Sequence, residues 1–209
     1  MKKNRVSTAV IRRLPRYYRH LTDLSLAGVD RISSQALGAS MGLTASQIRQ
    51  DLSCFGEFGQ QGYGYNVSTL RAEIASILSV DHGHTAVILG VGNLGRALIE
   101  NFQFSLNGFR VTAAFDVDPR VVGTQIAGIP VLHSEQMEAF YAENPFSVGV
   151  LTVPKMVAVS SAERLVRLGV RGIWNFTNME LPVSDSSVVV ENVHFADSLL
   201  ALCYMISEE

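Results

Sequence analysis

The sequence has 209 residues, of which 47% are hydrophobic and 17% charged, and this excludes a disordered chain. No apolar run reaches the roughly 18 residues that would cross a membrane, and the first residues lack the apolar stretch of a secretion signal. The sequence therefore predicts a folded cytoplasmic protein of one or two domains.

Cysteine use agrees with that class of protein. Cys54 and Cys203 are too few for a disulfide framework or a four-ligand zinc site of their own. Both lie in apolar helical segments, so we predict two buried core thiols and no metal site.

The charges divide the chain near residue 80. Residues 1–80 carry ten Lys/Arg and five Asp/Glu, whereas residues 81–209 carry seven and fourteen, giving net charges of +5 and −7. A basic half joined to an acidic half suggests a polyanion-binding module attached to a second domain. We predict domains over 1–80 and 81–192, followed by a C-terminal segment over 193–209.

An amphipathic helix is predicted near the start of the basic half. Apolar residues recur at spacings of three and four from Val10 to Leu21, which defines one buried face. Pro15 lies inside this pattern and marks either a helix start or a kink. The other face carries four arginines, and the candidates for DNA phosphates among them are Arg12, Arg13 and Arg16.

Two short helices about a glycine turn follow. Ser33 or Ser34 caps the first helix, Gly42 ends it, and Thr44 with Gln47 forms a capping box at the start of the second. The second helix is predicted to bury the apolar face formed by Ile48, Leu52 and Phe55. This arrangement is typical of a helix-turn-helix, whose second helix enters the major groove of DNA.

The outward face of that second helix is polar. Gln47, Arg49 and Gln50 are candidates to reach base edges. Ser46 and Ser53 are candidates to contact phosphates. A solvated helix face is the alternative for any one of them, but their occurrence together in a basic domain favours DNA.

A glycine-rich segment follows the recognition helix. Over 56–65, four glycines alternate with three aromatic residues, which favours a sharp hairpin and therefore a wing beside the helix; a surface loop is the alternative. Gln60, Gln61 and Tyr63 are the candidate DNA contacts of this wing.

The acidic half begins with a phosphate-binding motif. A buried strand over 85–89 leads into Gly90-Val91-Gly92-Asn93-Leu94-Gly95 and a helix from Arg96. A second strand ends at Asp116, 21 positions after Gly95. Strand, glycine loop, helix and acidic residue in this order form the Rossmann dinucleotide-binding fingerprint.

Each part of the fingerprint has a physical role. Gly90 permits the tight turn, Gly92 lets a pyrophosphate approach the backbone, and Gly95 lets the helix pack closely. The amides at the helix start hold the anion. Asp116, followed by Val117, accepts hydrogen bonds from the ribose hydroxyls and repels a 2′-phosphate, which favours NAD(H); Arg120 is the nearby group that could soften this preference.

Two later strands end at the same edge of the predicted parallel sheet. One is followed by Thr152-Val153-Pro154 and the other ends with Asn175. Ligands of open parallel sheets bind at the carboxyl ends of the strands, so we place these residues near the nicotinamide.

The C-terminal segment is apolar nearly all round. From Val193 to Ile206 it carries little charge, so it must be buried. It either covers its own sheet or inserts into a partner subunit, and a symmetric dimer would match the two half-sites that helix-turn-helix proteins usually bind.

These features together identify a resemblance to the Rex family of redox-sensing transcriptional repressors over essentially the whole chain. The stretches that carry it are 13–17, 46–53, 62–65, 90–95, 115–116, 151–154, 174–176 and 190–193. The resemblance implies an α/β protein: an N-terminal winged helix-turn-helix, a doubly wound, mostly parallel Rossmann domain that binds NAD(H), and a domain-swapped C-terminal helix. It further implies a homodimer that binds a palindromic operator with NAD+ or no ligand and releases it with NADH.

The sequence departs from the family at a switch position. The family commonly has Asn-Val-Asp where this chain has Asn192-Val193-His194. The family's aspartate exchanges partners between an arginine, retained here as Arg19, and a tyrosine that maps onto Asn101 or Phe102. Phe195 matches an apolar residue that approaches the partner's nicotinamide.

Two other functions are weighed against a repressor. An oxidoreductase needs a general acid or base beside the nicotinamide, and His133, Tyr141 and Lys155 form no recognised arrangement. An NAD-dependent scaffold without DNA binding is opposed by the helix-turn-helix and wing. We therefore predict a repressor and no enzyme.

Overall fold

The computed structural model describes residues 6–56, 58–59 and 63–207. The chain divides into two compact units, Met1–His82 and Gly83–Glu209, and the segment over 193–209 belongs to the second.

The N-terminal unit consists of helices around a small apolar core. Its elements are α1 (Thr8–Leu26), β1 (Arg31–Ile32), α2 (Ser34–Met41), α3 (Ala45–Ser53), β2 (Tyr65–Asn66) and α4 (Val67–Ile77). The apolar face predicted for α1 is buried, from Val10 to Leu21, and it packs with Ile48 and Leu52 of α3. Pro15 lies inside α1, so it marks no helix start.

The turn between α2 and α3 follows from two caps and one glycine. Ser33 caps α2, and Gly42 ends it in the left-handed conformation with φ of 68°. The Thr44 hydroxyl accepts the Gln47 amide at 3.1 Å. The second half of the predicted capping box is wrong, because the Gln47 side chain bonds to Asp51 one turn onward.

Strand β2, at the end of the predicted wing, pairs with strand β1, which precedes α2. Arg31 lies opposite Asn66 and Ile32 opposite Tyr65 in an antiparallel pair. Gly64, with φ of +70°, lies so close to this pair that a Cβ would be 2.5 Å from the Ile32 carbonyl oxygen. The hairpin predicted over 56–65 includes residues 57 and 60–62, among them Gln60 and Gln61, which lie outside the described residues.

The C-terminal unit is built on a seven-stranded sheet. Its strands are β3 (His84–Leu89), β4 (Phe109–Asp116), β5 (Gln125–Ile126), β6 (Ile129–His133), β7 (Val148–Leu151), β8 (Gly172–Asn175) and β9 (Val189–Asn192). Their order is β5-β6-β4-β3-β7-β8-β9, and only the β5–β6 pair is antiparallel. The central strand β3 has β4 on one side and β7 on the other, so the crevice expected at a topological switch point lies at its carboxyl end.

Helices cover the sheet through two apolar clusters. Met137 of α6 (Met137–Glu143) and Leu165 of α7 (Lys155–Leu168) pack in one cluster with residues of β3, β4 and β7. Ile99 of α5 (Asn93–Asn101) packs in the other with Ile88 and Val150. The α/β fold with its mostly parallel sheet is thereby confirmed.

The last helix, α8 (Phe195–Ile206), has no buried residue. Its large apolar side chains from Leu199 onward are 52% to 67% exposed. The first alternative for this segment, that it covers its own sheet, is therefore wrong. The predicted burial of Cys54 and Cys203 is also wrong, since both are exposed: Cys54 follows the end of α3, and Cys203 lies on α8.

No helix in the described part of the chain combines the length and the apolar character that crossing a membrane requires.

Candidate nucleotide crevice and DNA-reading surface

The glycine loop at the end of β3 leaves room for a ligand at only one of its three glycines. Gly90 has φ of +94°, and a Cβ there would be 2.9 Å from the carbonyl of Thr152. A Cβ at Gly95 would be 2.0 Å from the Gly90 carbonyl oxygen. At Gly92, among the described residues and leaving aside its chain neighbours and the backbone of its own helix, no heavy atom lies within 4 Å of the corresponding point. The loop therefore packs tightly at Gly90 and Gly95 and leaves open space at Gly92, where a bound pyrophosphate would need to approach the backbone.

The loop passes directly into α5. Gly92 is the N-cap and provides no side-chain acceptor, so the first amides of the helix, from Asn93 to Gly95, are not capped by that residue. Uncapped amides at a helix start attract an anion. The Arg96 amide bonds back to the Gly92 carbonyl, and its guanidinium lies 3.6 Å from Glu100 one turn later.

Asp116 ties the end of β4 to the glycine loop. One carboxylate oxygen accepts the Val91 amide at 2.5 Å, and the other accepts the amides of Val117 at 2.7 Å and Asp118 at 2.9 Å. A carboxylate has about four acceptor positions, so the three amides leave one for a ribose hydroxyl. The sequence prediction of two ribose bonds to Asp116 takes no account of this loop-holding role.

Arg120, four positions after Asp116, is paired with another carboxylate. Arg120 donates to both carboxylate oxygens of Asp118 over distances of 2.6 to 3.0 Å. The same bonds hold the pKa of Asp118 down at about 2, so it is ionised at neutral pH. Arg120 is thus held by its own neighbour, which opposes its predicted role in accommodating a 2′-phosphate.

A cleft of about 290 Å³ lies beside the loop. It combines predicted cofactor residues with residues of α6, α7 and the turn before α6 that the sequence analysis missed. The lining comprises Leu89, Gly90, Phe115, Asp116, Val117, Ser134, Met137, Val153, Pro154, Val157, Ser160, Ser161 and Arg164. The spacing of Val157, Ser161 and Arg164 on one face of α7 was the available signal. The lining combines apolar side chains such as Phe115, Met137 and Val157 with the polar groups of Ser134, Ser160, Ser161 and Arg164, a mixture that suits a flat heteroaromatic ring.

Two residues predicted at the nicotinamide end hold the strand ends together. The Thr152 hydroxyl lies 2.7 Å from the Gly90 carbonyl oxygen and 3.0 Å from that of Leu89, and its one hydrogen is shared between these two acceptors. The Asn175 carboxamide is 1% exposed; it donates to Met179 and Asn192 and accepts from Thr177. Their contact with a nicotinamide stays a prediction, since both side chains are engaged with the protein.

The predicted switch residues are distributed over both units. Arg19 lies on α1, and the Phe102 ring lies 5.3 Å from that of Trp174 in the second unit. The His194 ring nitrogen lies 3.3 Å from a Glu180 oxygen. Glu180 also accepts a hydrogen bond from the side-chain amide of Asn192 at 2.6 Å. The next residue, Phe195, is 59% exposed, and its ring centroid lies 6.1 Å from that of Phe176.

The candidate DNA contacts on α1 and α3 are mostly exposed. Arg12, Arg16, Ser46, Arg49, Gln50 and Ser53 are all exposed, and Tyr63 of the wing is 70% exposed. Arg16 donates to the Met41 carbonyl at 3.0 Å and Arg49 to Ser34 at 3.0 Å, which fixes both guanidinium groups close to α2. The Ser53 hydroxyl donates its only hydrogen to the Gln50 carbonyl, which makes it a poorer phosphate donor than predicted.

Arg13 and Gln47 differ from the other candidates because they bind a buried carboxylate. Asp51 of α3 is 0% exposed and accepts from Arg13, Tyr17 and Gln47. Burial raises the pKa of Asp51, but the hydrogen bonds from these three side chains outweigh it and hold the pKa below its usual value. The sequence analysis missed Asp51, although a charged residue between Ile48 and Leu52 on the apolar face was a visible signal.

A helix-turn-helix unit followed by a dinucleotide-binding unit defines a class of protein, the transcription factors that respond to a nucleotide. Two family models match accordingly: "Putative DNA-binding protein N-terminus" over residues 5–53 and "CoA binding domain" over residues 81–179.

Relatives match over the full length of the chain. The "Redox-sensing transcriptional repressor Rex" of Clostridium beijerinckii is 47% identical over 99% of this chain and 98% of its own. That of Thermoanaerobacter pseudethanolicus is 48% identical over 100% of this chain and 92% of its own. The chain therefore belongs to the Rex family of redox-sensing transcriptional repressors. Its relatives are named as repressors, which confirms the prediction that it is not an enzyme.

Solved structures agree. RSP is a Rex-family repressor. Its complex with β-NAD+ and operator DNA matches with a TM-score of 0.90 and 48% identity, over 97% of this chain and 93% of that one. A complex of RSP with β-NADH matches with a TM-score of 0.89 and 44% identity, over 98% and 96%.

Proposed function

We propose that this chain binds a palindromic operator as a homodimer and senses the NADH/NAD+ ratio, holding DNA with NAD+ or no ligand and releasing it with NADH. The observation that carries the proposal is the glycine loop, open at Gly92 and joined to Asp116, in the same chain as a helix-turn-helix.

The nucleotide crevice fits NAD(H). The open backbone at Gly92 and the first amides of α5 would hold the pyrophosphate, since no Cβ projects there. The remaining acceptor position of Asp116 would hold a ribose hydroxyl, and the cleft lined by Val117, Pro154 and Val157 would hold the adenine. When bound, the cofactor supplies a nicotinamide whose charge differs between its oxidised and reduced forms.

DNA binding rests on the exposed face of α3. Arg49 and Gln50 reach base edges, and Arg12 and Arg16 contact phosphates. Neutral Gln60 and Gln61 at the predicted wing tip add no phosphate attraction, so more of the salt-dependent binding comes from the arginines of α1.

The response to NADH is a population shift. It requires NADH to prefer the dimer that cannot hold DNA over the dimer that can, because a ligand with equal affinity for both shifts nothing. The relative RSP has been solved with NAD+ and operator DNA together and, separately, with NADH, which supports a response that involves both forms of the cofactor.

Dimer formation uses α8. Its apolar side chains are exposed in the single chain, and a partner subunit would remove them from water. With Asp at the switch position replaced by His194 and no tyrosine at Asn101 or Phe102, we expect Arg19 to use other contacts in this chain.

The test is a mobility-shift titration on a palindromic duplex selected with the protein itself, with NAD+ and NADH run side by side. We expect binding with NAD+ or no ligand and release with NADH. Equal affinity in all three conditions would remove the sensing function and leave DNA binding, whereas no shift in any condition would remove both.

A further inference from the structure

Asp51 forms a complete hydrogen-bonded cluster in the interior of the N-terminal unit. Its Oδ2 accepts Arg13 Nε at 2.6 Å and the Tyr17 hydroxyl at 2.8 Å. Its Oδ1 accepts Arg13 Nη2 at 2.8 Å and Gln47 Nε2 at 2.7 Å. Two donors on each oxygen occupy the four acceptor positions of the carboxylate.

The cluster is assembled from two pairs of residues spaced four apart. Arg13 and Tyr17 are one turn apart on α1, and Gln47 and Asp51 are one turn apart on α3. Residues four apart share a helix face, so the two pairs meet where the helices pack. Asp51 is thus the group through which α1 fixes a side chain on the DNA-reading helix.

The chemistry of the cluster determines which way the Gln47 carboxamide faces. An ionised carboxylate can only accept hydrogen bonds, so the nitrogen of the carboxamide must face Asp51 and its oxygen is left for a ligand. Thr44 reinforces this arrangement, because it caps the Gln47 backbone amide and leaves the side chain free to bond forward. A glutamine on a helix surface without such a partner would turn either end towards DNA.

We propose that Asp51 is a positioning residue for operator reading: it holds Gln47 so that Oε1 faces the DNA and selects a base that donates a hydrogen bond. In the major groove the donors are the N6 amino group of adenine and the N4 amino group of cytosine. This inference rests on the proposed function, in which α3 reads base edges.

The first experiment measures base preference with the full-length protein. Fluorescence anisotropy is recorded on the selected operator and on a set of duplexes with one base pair changed at a time through each half-site. The variants are Asp51→Asn, Gln47→Ala, the double variant, and Gln50→Ala as a control on the same helix that leaves the Asp51 cluster intact. Asparagine both donates and accepts, so it no longer fixes the orientation of Gln47.

We expect Asp51→Asn and Gln47→Ala to lose discrimination at the same base pair by about fivefold or more, the lower end of what a specific base contact contributes. The double variant should lose no more than Gln47→Ala alone. A purely structural role would weaken binding to every duplex by the same factor, and that result overturns the proposal. If Gln50→Ala changes the preference at its own base pair while the other variants change none, the proposed function stands and this inference fails.

The second experiment does not depend on whether Asp51→Asn folds. Solvent exchange of side-chain amide protons is followed by NMR in the wild-type protein, with the Gln47 signal identified by its loss in Gln47→Met. We expect the Gln47 amide to exchange more slowly than that of Gln50, which is exposed. Equal exchange rates would mean that Asp51 does not hold Gln47, and would overturn the proposal.

Discussion

The two units hold their functional groups in place by different kinds of interaction. In the N-terminal unit, a buried carboxylate fixes side chains of α1 and α3 through four hydrogen bonds. In the C-terminal unit, glycines fix the backbone itself, because close contacts at Gly90 and Gly95 leave no space for a Cβ. A side-chain cluster therefore fails when a charge is removed, and a backbone loop fails when a methyl group is added.

The largest expected effect is on the side-chain cluster. Asp51→Ala removes the common acceptor of three side chains and leaves the Arg13 charge partly buried, which costs about 3–5 kcal/mol of stability. Hydrogen exchange measured by mass spectrometry should show faster exchange in 6–56 and unchanged exchange in 83–207. The exposed Asp185→Ala is the control, and unchanged protection of α1 and α3 would contradict the role of the cluster.

The backbone loop should respond to a single added methyl group. Gly95→Ala places a Cβ against the Gly90 carbonyl oxygen, so we expect the free energy of unfolding to fall by about 1–3 kcal/mol. We also expect weaker NADH binding, because the loop that would hold the pyrophosphate is displaced. Calorimetric titration with NADH checks the binding. Gly172→Ala is the matched control, because a Cβ there makes only ordinary contacts of 3.6 Å and 3.8 Å. Normal NADH binding by Gly95→Ala would contradict the assigned loop geometry.

Asp116 combines both kinds of interaction, since its side chain accepts hydrogen bonds from the backbone amides of Val91 in the loop and of Val117 and Asp118. We expect Asp116→Ala to weaken NADH binding by roughly 10- to 100-fold, the range for hydrogen bonds to a charged group, without unfolding the protein. Calorimetry and a thermal unfolding curve on the same sample separate the two effects. An unchanged NADH titration would argue against the ribose contact.

The smallest effect concerns the Asp118–Arg120 pair. Asp118→Asn weakens the ion pair that holds Arg120, so affinity for NADPH relative to NADH should rise, by less than the Asp116 substitution changes NADH binding. The double variant with Arg120→Ala should return the ratio to that of the parent. No change in the ratio in either variant would mean that Arg120 does not reach the 2′ position.

Features with a regular spacing along the chain could be predicted from the sequence. The glycine loop and Asp116 have a fixed spacing along the chain, and the geometry of a strand, a tight turn and a helix follows from that spacing. The face of α1 was equally visible, because its buried residues recur with the helical period.

Contacts between distant residues were not visible in this way. Asp51 meets Arg13 across 38 positions, and β2 pairs with a two-residue strand 34 positions before it, neither of which leaves a periodic signal. The apolar character of α8 predicts burial, whereas the single chain leaves this helix, and with it Cys203, exposed; its burial by a partner subunit stays a prediction.

The central claim is that the nucleotide crevice of the second unit governs DNA binding by the first. It is tested most directly by titrating NADH into a labelled operator duplex bound to the parent protein and, in parallel, to Asp116→Ala. The account predicts that the parent releases DNA and that the variant binds DNA equally well but needs at least tenfold more NADH to release it, as the weakened ribose contact requires. Release of both at the same NADH concentration would contradict it.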